Sequence, residues 1–298
     1  MKKRYISVIS MLVISIAFTG CGTEDNTVEN NDAEAVKVDV KDLEEEEEVS
    51  NVFYALPSPF EMASLLRASG VEYNFEVLNN PENVSNYTTT HDKALNLGIY
   101  GADLSISSIY DMTQETMLYL KSIKVIADDL GLTAAFDQET MARLESSKAN
   151  RDSLQRIVAD AYMMANGYLK ENARSSTASL VLAGGWIEGI HIATSLVDIE
   201  KPNSDLEELI ADQRFSIDNL IGLISLHKDE AGIDEMITDF NELKSLFDQI
   251  KEVENSGIKK KSEGASMVIG GEVSLDFPHE LMVQIVDKVN AIRTKFVK

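Results

Sequence analysis

From His91 onward, apolar residues recur at steps of three and four, the period of helices that bury one face. The spacing predicts a helix over about 91–110. A second is expected at 112–130, with Tyr119, Leu120, Ile123, Ile126 and Leu130 on one face and Gly131 as its stop. A long helix follows Asp137, a candidate cap, over about 138–170, and another spans about 174–199, ending before Lys201-Pro202. Asn203 or Ser204 opens the next, with Leu206, Leu209, Ile210, Ile217, Leu220, Ile221 and Ile224 inward. Ile233, Ile237, Phe240, Leu243, Phe247 and Ile250 mark one more. Met282, Ile285, Val289, Ile292 and Phe296 stripe the last, at about 279–297. Upstream, Ser58-Pro59 offers a cap and a first-turn proline for a helix that Gly70 ends.

Two stretches depart from this period. Val71, Tyr73, Phe75 and Val77 alternate with polar residues, which predicts a short strand closed by Asn79-Asn80-Pro81. Ser266–Ile269, Gly270-Gly271 and Glu272–Leu275 read either as a hairpin around a two-residue glycine turn or as an irregular glycine loop. The expected fold is therefore all-α: a multi-helix bundle of seven or eight helices with at most one short β-hairpin. Residues 51–298 contain no linker-like stretch and approach the upper size for one hydrophobic core, so they are expected to form a single helical domain.

The first fifty residues have a different texture. Lys2, Lys3 and Arg4 precede 13 largely apolar residues, Ile6–Phe18. That run is short of the ~20 residues a membrane span needs and suits a signal-peptide core. It ends in Phe18-Thr19-Gly20-Cys21, which resembles the lipobox of bacterial lipoproteins, with Phe where Leu is usual. The resemblance implies that residues 1–20 are removed and that Cys21, the only cysteine, carries the acyl chains. Gly22 is not the Asp that retains enterobacterial lipoproteins at the inner membrane, so the outer membrane is favoured. Residues 21–50 then form a lipidated, acidic tether. Glu24 to Glu48 holds 12 acidic residues against Lys37 and Lys41, too charged to bury a core. Glu24-Asp25 also resembles the acidic surface-export signal of Bacteroidota lipoproteins, so the periplasmic and the surface-exposed faces both stay open.

Charge narrows the function classes. The chain has 27 Lys+Arg against 50 Asp+Glu, a net charge of -23, of which the body keeps -16. Such a surface repels phosphate backbones and argues against a nucleic-acid partner. One cysteine leaves no internal disulfide framework and no Cys-rich metal centre. Neither a phosphate-binding Gly-Lys-Ser/Thr loop nor a Gly-x-Ser-x-Gly elbow is present.

Four strings, Phe53–Pro59, Leu95–Leu104, Arg151–Ser153 and Gly184–Gly189, are similar to a group of uncharacterised helical outer-membrane lipoproteins of Bacteroidota. The resemblance implies compartment and helical fold, and brings no catalytic residues. Candidate chemistry lies in the same strings. Glu188 and His191 stand at i and i+3, one face of a helix, as in carboxylate-bridged di-iron bundles; those need a second such pair and two more Glu, which are lacking. Gly98 and Gly101, and Gly185 and Gly189, sit one turn apart inside helices, where each costs about 1 kcal/mol relative to Ala. Close helix packing is the preferred explanation. The rival is a small pocket lined by Tyr100 and Trp186, with Asp103, Arg151, Glu188 and His191 around it.

The expectation is thus a membrane-anchored envelope lipoprotein with a non-catalytic binding or assembly role and no cofactor, held to the membrane through Cys21 and meeting an envelope protein partner. A ligand-binding module with its pocket near Trp186 is the alternative, and a metal-dependent enzyme comes third.

Overall fold

The helical period becomes ten α-helices among the residues that the computed structural model describes: 56–134, 136–147, 150–171, 174–198, 200–255 and 272–297. They are α1 (Pro59–Ala68), α2 (Thr90–Ile109), α3 (Thr113–Asp129), α4 (Gln138–Ser147), α5 (Arg151–Glu171), α6 (Ser175–Ser195), α7 (Ser204–Ala211), α8 (Ile217–Ser225), α9 (Ile233–Phe247) and α10 (His279–Phe296). The fold is an all-α bundle. Two strands, β1 (Lys251–Asn255) and β2 (Glu272–Asp276), form an antiparallel pair with Val253 opposite Ser274. The signal segment 1–20, Cys21, the tether and the Gly270-Gly271 turn lie outside the described residues.

Local chemistry sets several of the boundaries. Ser58 closes a capping box on α1: its Oγ accepts from the Glu61 N–H, and the Glu61 carboxylate accepts from the Ser58 N–H at 2.8 Å. Thr89 caps α2, Asp137 caps α4 and Asn203 caps α7, each through a side-chain oxygen accepting backbone N–H. Gly70 and Gly131, at φ +78° and +72°, leave α1 and α3 in the left-handed region that glycine tolerates.

Three expectations change. The long helix at 138–170 is two, because Asn150 breaks it and caps α5 by accepting the Ser153 N–H at 3.0 Å. The helix at 203–224 is also two, interrupted by a 3-10 segment at Asp212–Phe215. These two breaks turn eight expected helices into ten. The strand at 71–77 does not form. Phe75–Val77 is a 3-10 turn capped by Asn74, whose Oδ1 accepts the Glu76 N–H. Among the described residues no strand lies beside it to complete a ladder, and alternation alone does not hold a strand. Of the glycine-turn hairpin, Glu272–Leu275 is in a strand as expected, and the partner described for it is β1.

The core is organised around α2 and α6. From Ala94 to Ile109 in α2, and from Thr177 to Thr194 in α6, every residue is buried. A helix buried on all sides is a core helix. The contact pairs Leu95 with Gly184 and Asp103 with Glu188 rise together, so the two helices run in the same direction. Helix α10 runs opposite to α6, with His191 against Asn290 and Glu188 against Arg293. Helix α5 packs on α2 and α6 and carries α4, while α8 packs on α6, and α9 on α8 and α10.

Candidate functional site

The glycines explain how α2 and α6 meet. A Cβ on Gly98 would stand 2.6 Å from the Gly185 nitrogen and inside the contact distance of the Val181 carbonyl. A Cβ on Gly184 would collide with the Leu95 backbone. Close backbone approach is therefore built on Gly98 and Gly184. Gly189, grouped with Gly185 by spacing, has only the Met62 side chain nearby, at 3.4 Å.

This close approach brings carboxylates together. Asp103 on α2 and Glu188 on α6 are both fully buried, at 0% exposure, and their carboxyl groups face each other. Arg293 on α10 grips Glu188 with both ends of its fork, Nε to Oε2 and Nη2 to Oε1, each at 3.0 Å. One arginine faces two acids, so one acid holds a proton. It is Asp103. Burial, and next the Glu188 charge, push its carboxyl well above the usual carboxylate range. Among the described residues no donor reaches Asp103 Oδ1, while Oδ2 accepts the Asn79 N–H at 3.3 Å. A proton on Asp103 directed at Glu188 removes both the missing partner and the like-charge repulsion.

Asn79 ties the loop before α2 into this cluster. Its N–H goes to Asp103, and its carbonyl accepts the Tyr119 hydroxyl at 3.1 Å. Its amide donates to the Tyr87 and Asn96 side chains, and its Oδ1 accepts from Asn83. Tyr100 donates to the Asn80 carbonyl at 3.0 Å, and Asn96 donates to the Phe296 carbonyl at 2.8 Å. Burial pushes the Tyr100 and Tyr119 hydroxyls well up, so both remain neutral donors. Glu188 and His191 do share a face. His191 turns one ring nitrogen to Asn290 at 2.8 Å and the other to the Val77 carbonyl at 3.0 Å.

Trp186 stands apart. Two residues along a helix correspond to about 200° of rotation, so Trp186 and Glu188 point to opposite sides of α6. The indole N–H donates to Ser216 Oγ at 2.9 Å, and the ring packs on Phe240 at 5.8 Å. Ser216 follows the 3-10 break between α7 and α8, and so that break serves the tryptophan. The expected pocket is thus divided. Tyr100, Asp103, Glu188 and His191 are brought together; Trp186 is not among them, and the Arg151 side chain lies outside what is described. Trp186 does border a recess with about 410 Å³ of unfilled space, part of it open to solvent. Its walls are Leu56–Pro59, Leu182 and Gly185, and no network residue lines it.

Arg293, Asn79 and Asn290 are among the members that sequence reasoning missed, as are Asn83, Tyr87, Asn96 and Tyr119. Arg293 follows Val289 by four residues and precedes Phe296 by three, so it interrupts the apolar stripe of α10. That interruption was the readable signal. Asn79 and Asn290 carried none.

Chemically, a protonated carboxyl beside a carboxylate is an acid–base pair, but here it is sealed from solvent and occupied with holding helices. Among the described residues no three His, Cys, Asp or Glu come together so as to hold a metal ion. No family model matches the chain, and no curated protein or solved structure is similar to it.

Proposed function

We propose that this chain is a cell-envelope lipoprotein of the Bacteroidota type, anchored in the outer membrane by acyl chains on Cys21, with a non-catalytic role in binding or assembly. The observation that carries the non-catalytic part is the fate of Asp103 and Glu188. They are an acid–base pair by composition, both are at 0% exposure, and their hydrogen bonds run to Arg293 and the Asn79 backbone. An enzyme needs such groups where a substrate reaches them. The anchoring part rests on the basic start, the short apolar run and Cys21. Among the described residues no helix is long and apolar enough to cross a membrane, and an acylated cysteine requires none.

Metabolic labelling with a palmitate analogue tests the anchor. Label is expected in the wild-type chain and absent from Cys21→Ser, with the variant released in soluble form. Label of equal strength in the variant would sink the lipoprotein reading. A second reading, a small-ligand module, is favoured by the recess beside Trp186. Its lining is mainly apolar, so the ligand would be an apolar group held against the indole, without the carboxylates that the sequence placed there.

A further inference from the structure

The recess beside Trp186 is walled on one side by Leu56–Pro59, where the described residues begin, and on the other by Leu182, Gly185 and Trp186 of α6. Its enclosed part is about 60 Å³, and the rest opens to solvent. At ~30 Å³ per water that room holds two waters, far less than the ~300–1,000 Å³ of a pocket that surrounds a whole ligand. It suits the edge of one side chain entering from the open side.

The polar atoms around it are already committed. The indole N–H donates to Ser216 Oγ, and Ser58 is closed on Glu61 through both its Oγ and its N–H. Pro57 and Pro59 have no N–H to give. The entering group is therefore apolar, with neither charge nor hydroxyl.

The chain supplies such a group within reach. Residues 19–52 contain no aromatic side chain, and Phe53 and Tyr54 then stand three and two residues before Leu56. Leu56 precedes a proline, which favours extended backbone, and Ser58 sits at φ −66° and ψ 153°, the polyproline II region. That helix has three residues per turn and a ~3.1 Å rise, so one turn continued upstream from Leu56 brings Phe53 to the same side about 9 Å away. Tyr54 falls on another side and would carry a hydroxyl to a recess with nothing to pair it. Further upstream, the acidic run Glu44–Glu48 is repelled by the acidic body, so the contact ends near Val52.

We propose that Phe53 docks in this recess against the Trp186 indole, as an intramolecular plug that fixes where the tether leaves the body. This docking does not depend on acylation of Cys21, and it gives the recess an occupant other than the free ligand of the second reading.

The test uses the full chain carrying Cys21→Ser, in which Trp186 is the only tryptophan. Removing the Phe53 ring uncovers the indole face beneath it. Acrylamide quenching in Phe53→Ala should therefore rise about twofold and the emission move to the red, while Tyr54→Ala stays near wild type. Toluene should restore the shielding in Phe53→Ala and leave wild type unchanged. If Phe53→Ala does not fold, p-benzoylphenylalanine placed at position 53 keeps a ring there, and its photo-cross-link should map to residues 182–186 of the same chain. Unchanged quenching in Phe53→Ala, a wild type that responds to toluene as strongly as the variant, quenching that varies with protein concentration, or a cross-link to other residues or to a second copy would each overturn the proposal.

Discussion

Removing the Arg293 guanidinium should be among the most damaging single changes in this protein. Its side chain is only 15% exposed, and its partner Glu188 is fully buried with both oxygens committed to it at 3.0 Å. Deleting one partner of a buried ion pair costs about 3–5 kcal/mol, since the remaining charge has neither water nor a counter-ion. For a body of this size each kcal/mol lowers the melting temperature by roughly 2–4 °C, so Arg293→Met should melt roughly 6–20 °C below wild type. Methionine keeps much of the packing and removes the charge. The penalty should also depend on pH. In the variant, Glu188 escapes by taking up a proton, so the folded state binds one that the unfolded state releases above about pH 4. The variant's deficit should therefore be smallest in acid and grow as pH rises toward neutrality. Glu188→Gln combined with Arg293→Met removes the stranded charge and should recover part of the loss. Thermal and urea melts of the three proteins between pH 5 and pH 8 measure this. An Arg293→Met protein melting within two or three degrees of wild type at pH 8 would mean that the cluster is wetter than its geometry indicates.

Two further outcomes follow from the same helix contacts. Asp103 holds its proton in the fold because of burial and the Glu188 charge, whereas the unfolded chain loses it near pH 4; its contribution is therefore full in acid and falls as pH rises from there toward the raised folded value. Asp103→Asn keeps a donor aimed at Glu188 without a titrating proton, so its melting temperature should change less with pH than wild type's, and an unchanged profile would refute the shared proton. Gly98→Ala should cost about 1–3 kcal/mol or more, because its Cβ meets the backbones of Val181 and Gly185 rather than a movable side chain. Gly189→Ala meets only the Met62 side chain at 3.4 Å and gains up to ~1 kcal/mol of helix propensity, so it should be neutral or stabilising. Equal melting temperatures for the two alanine variants would refute the packing account.

The fold was legible where a segment's own chemistry decides its conformation. Ser58, Asp137 and Asn203 announce helix starts because a side-chain oxygen accepting the first free N–H needs no distant partner. Asn150 belongs to the same class, but it lies inside a largely polar run, Glu145–Ser153, and its capping role is visible only in the bond it accepts from the Ser153 N–H. The 71–77 stretch misled for the opposite reason. Its alternation is real, and Val71, Tyr73 and Val77 do pack against the core, but a strand exists only with a neighbour. The site follows the same division. Glu188 and His191 share a face by local geometry, and the structure keeps them so. What each of them binds is distant in the chain: Arg293 and Asn290 lie about a hundred residues downstream on α10, and Asp103 and the Val77 carbonyl lie upstream, on elements whose position no local pattern sets. Trp186 was grouped with Glu188 by nearness in the chain, while the helical rotation that separates them was there to be counted. In an all-buried helix such as α6 every direction leads to a different neighbour, so adjacency in sequence predicts opposite partners: Ser216 for Trp186, Arg293 for Glu188 and the Leu95 backbone for Gly184.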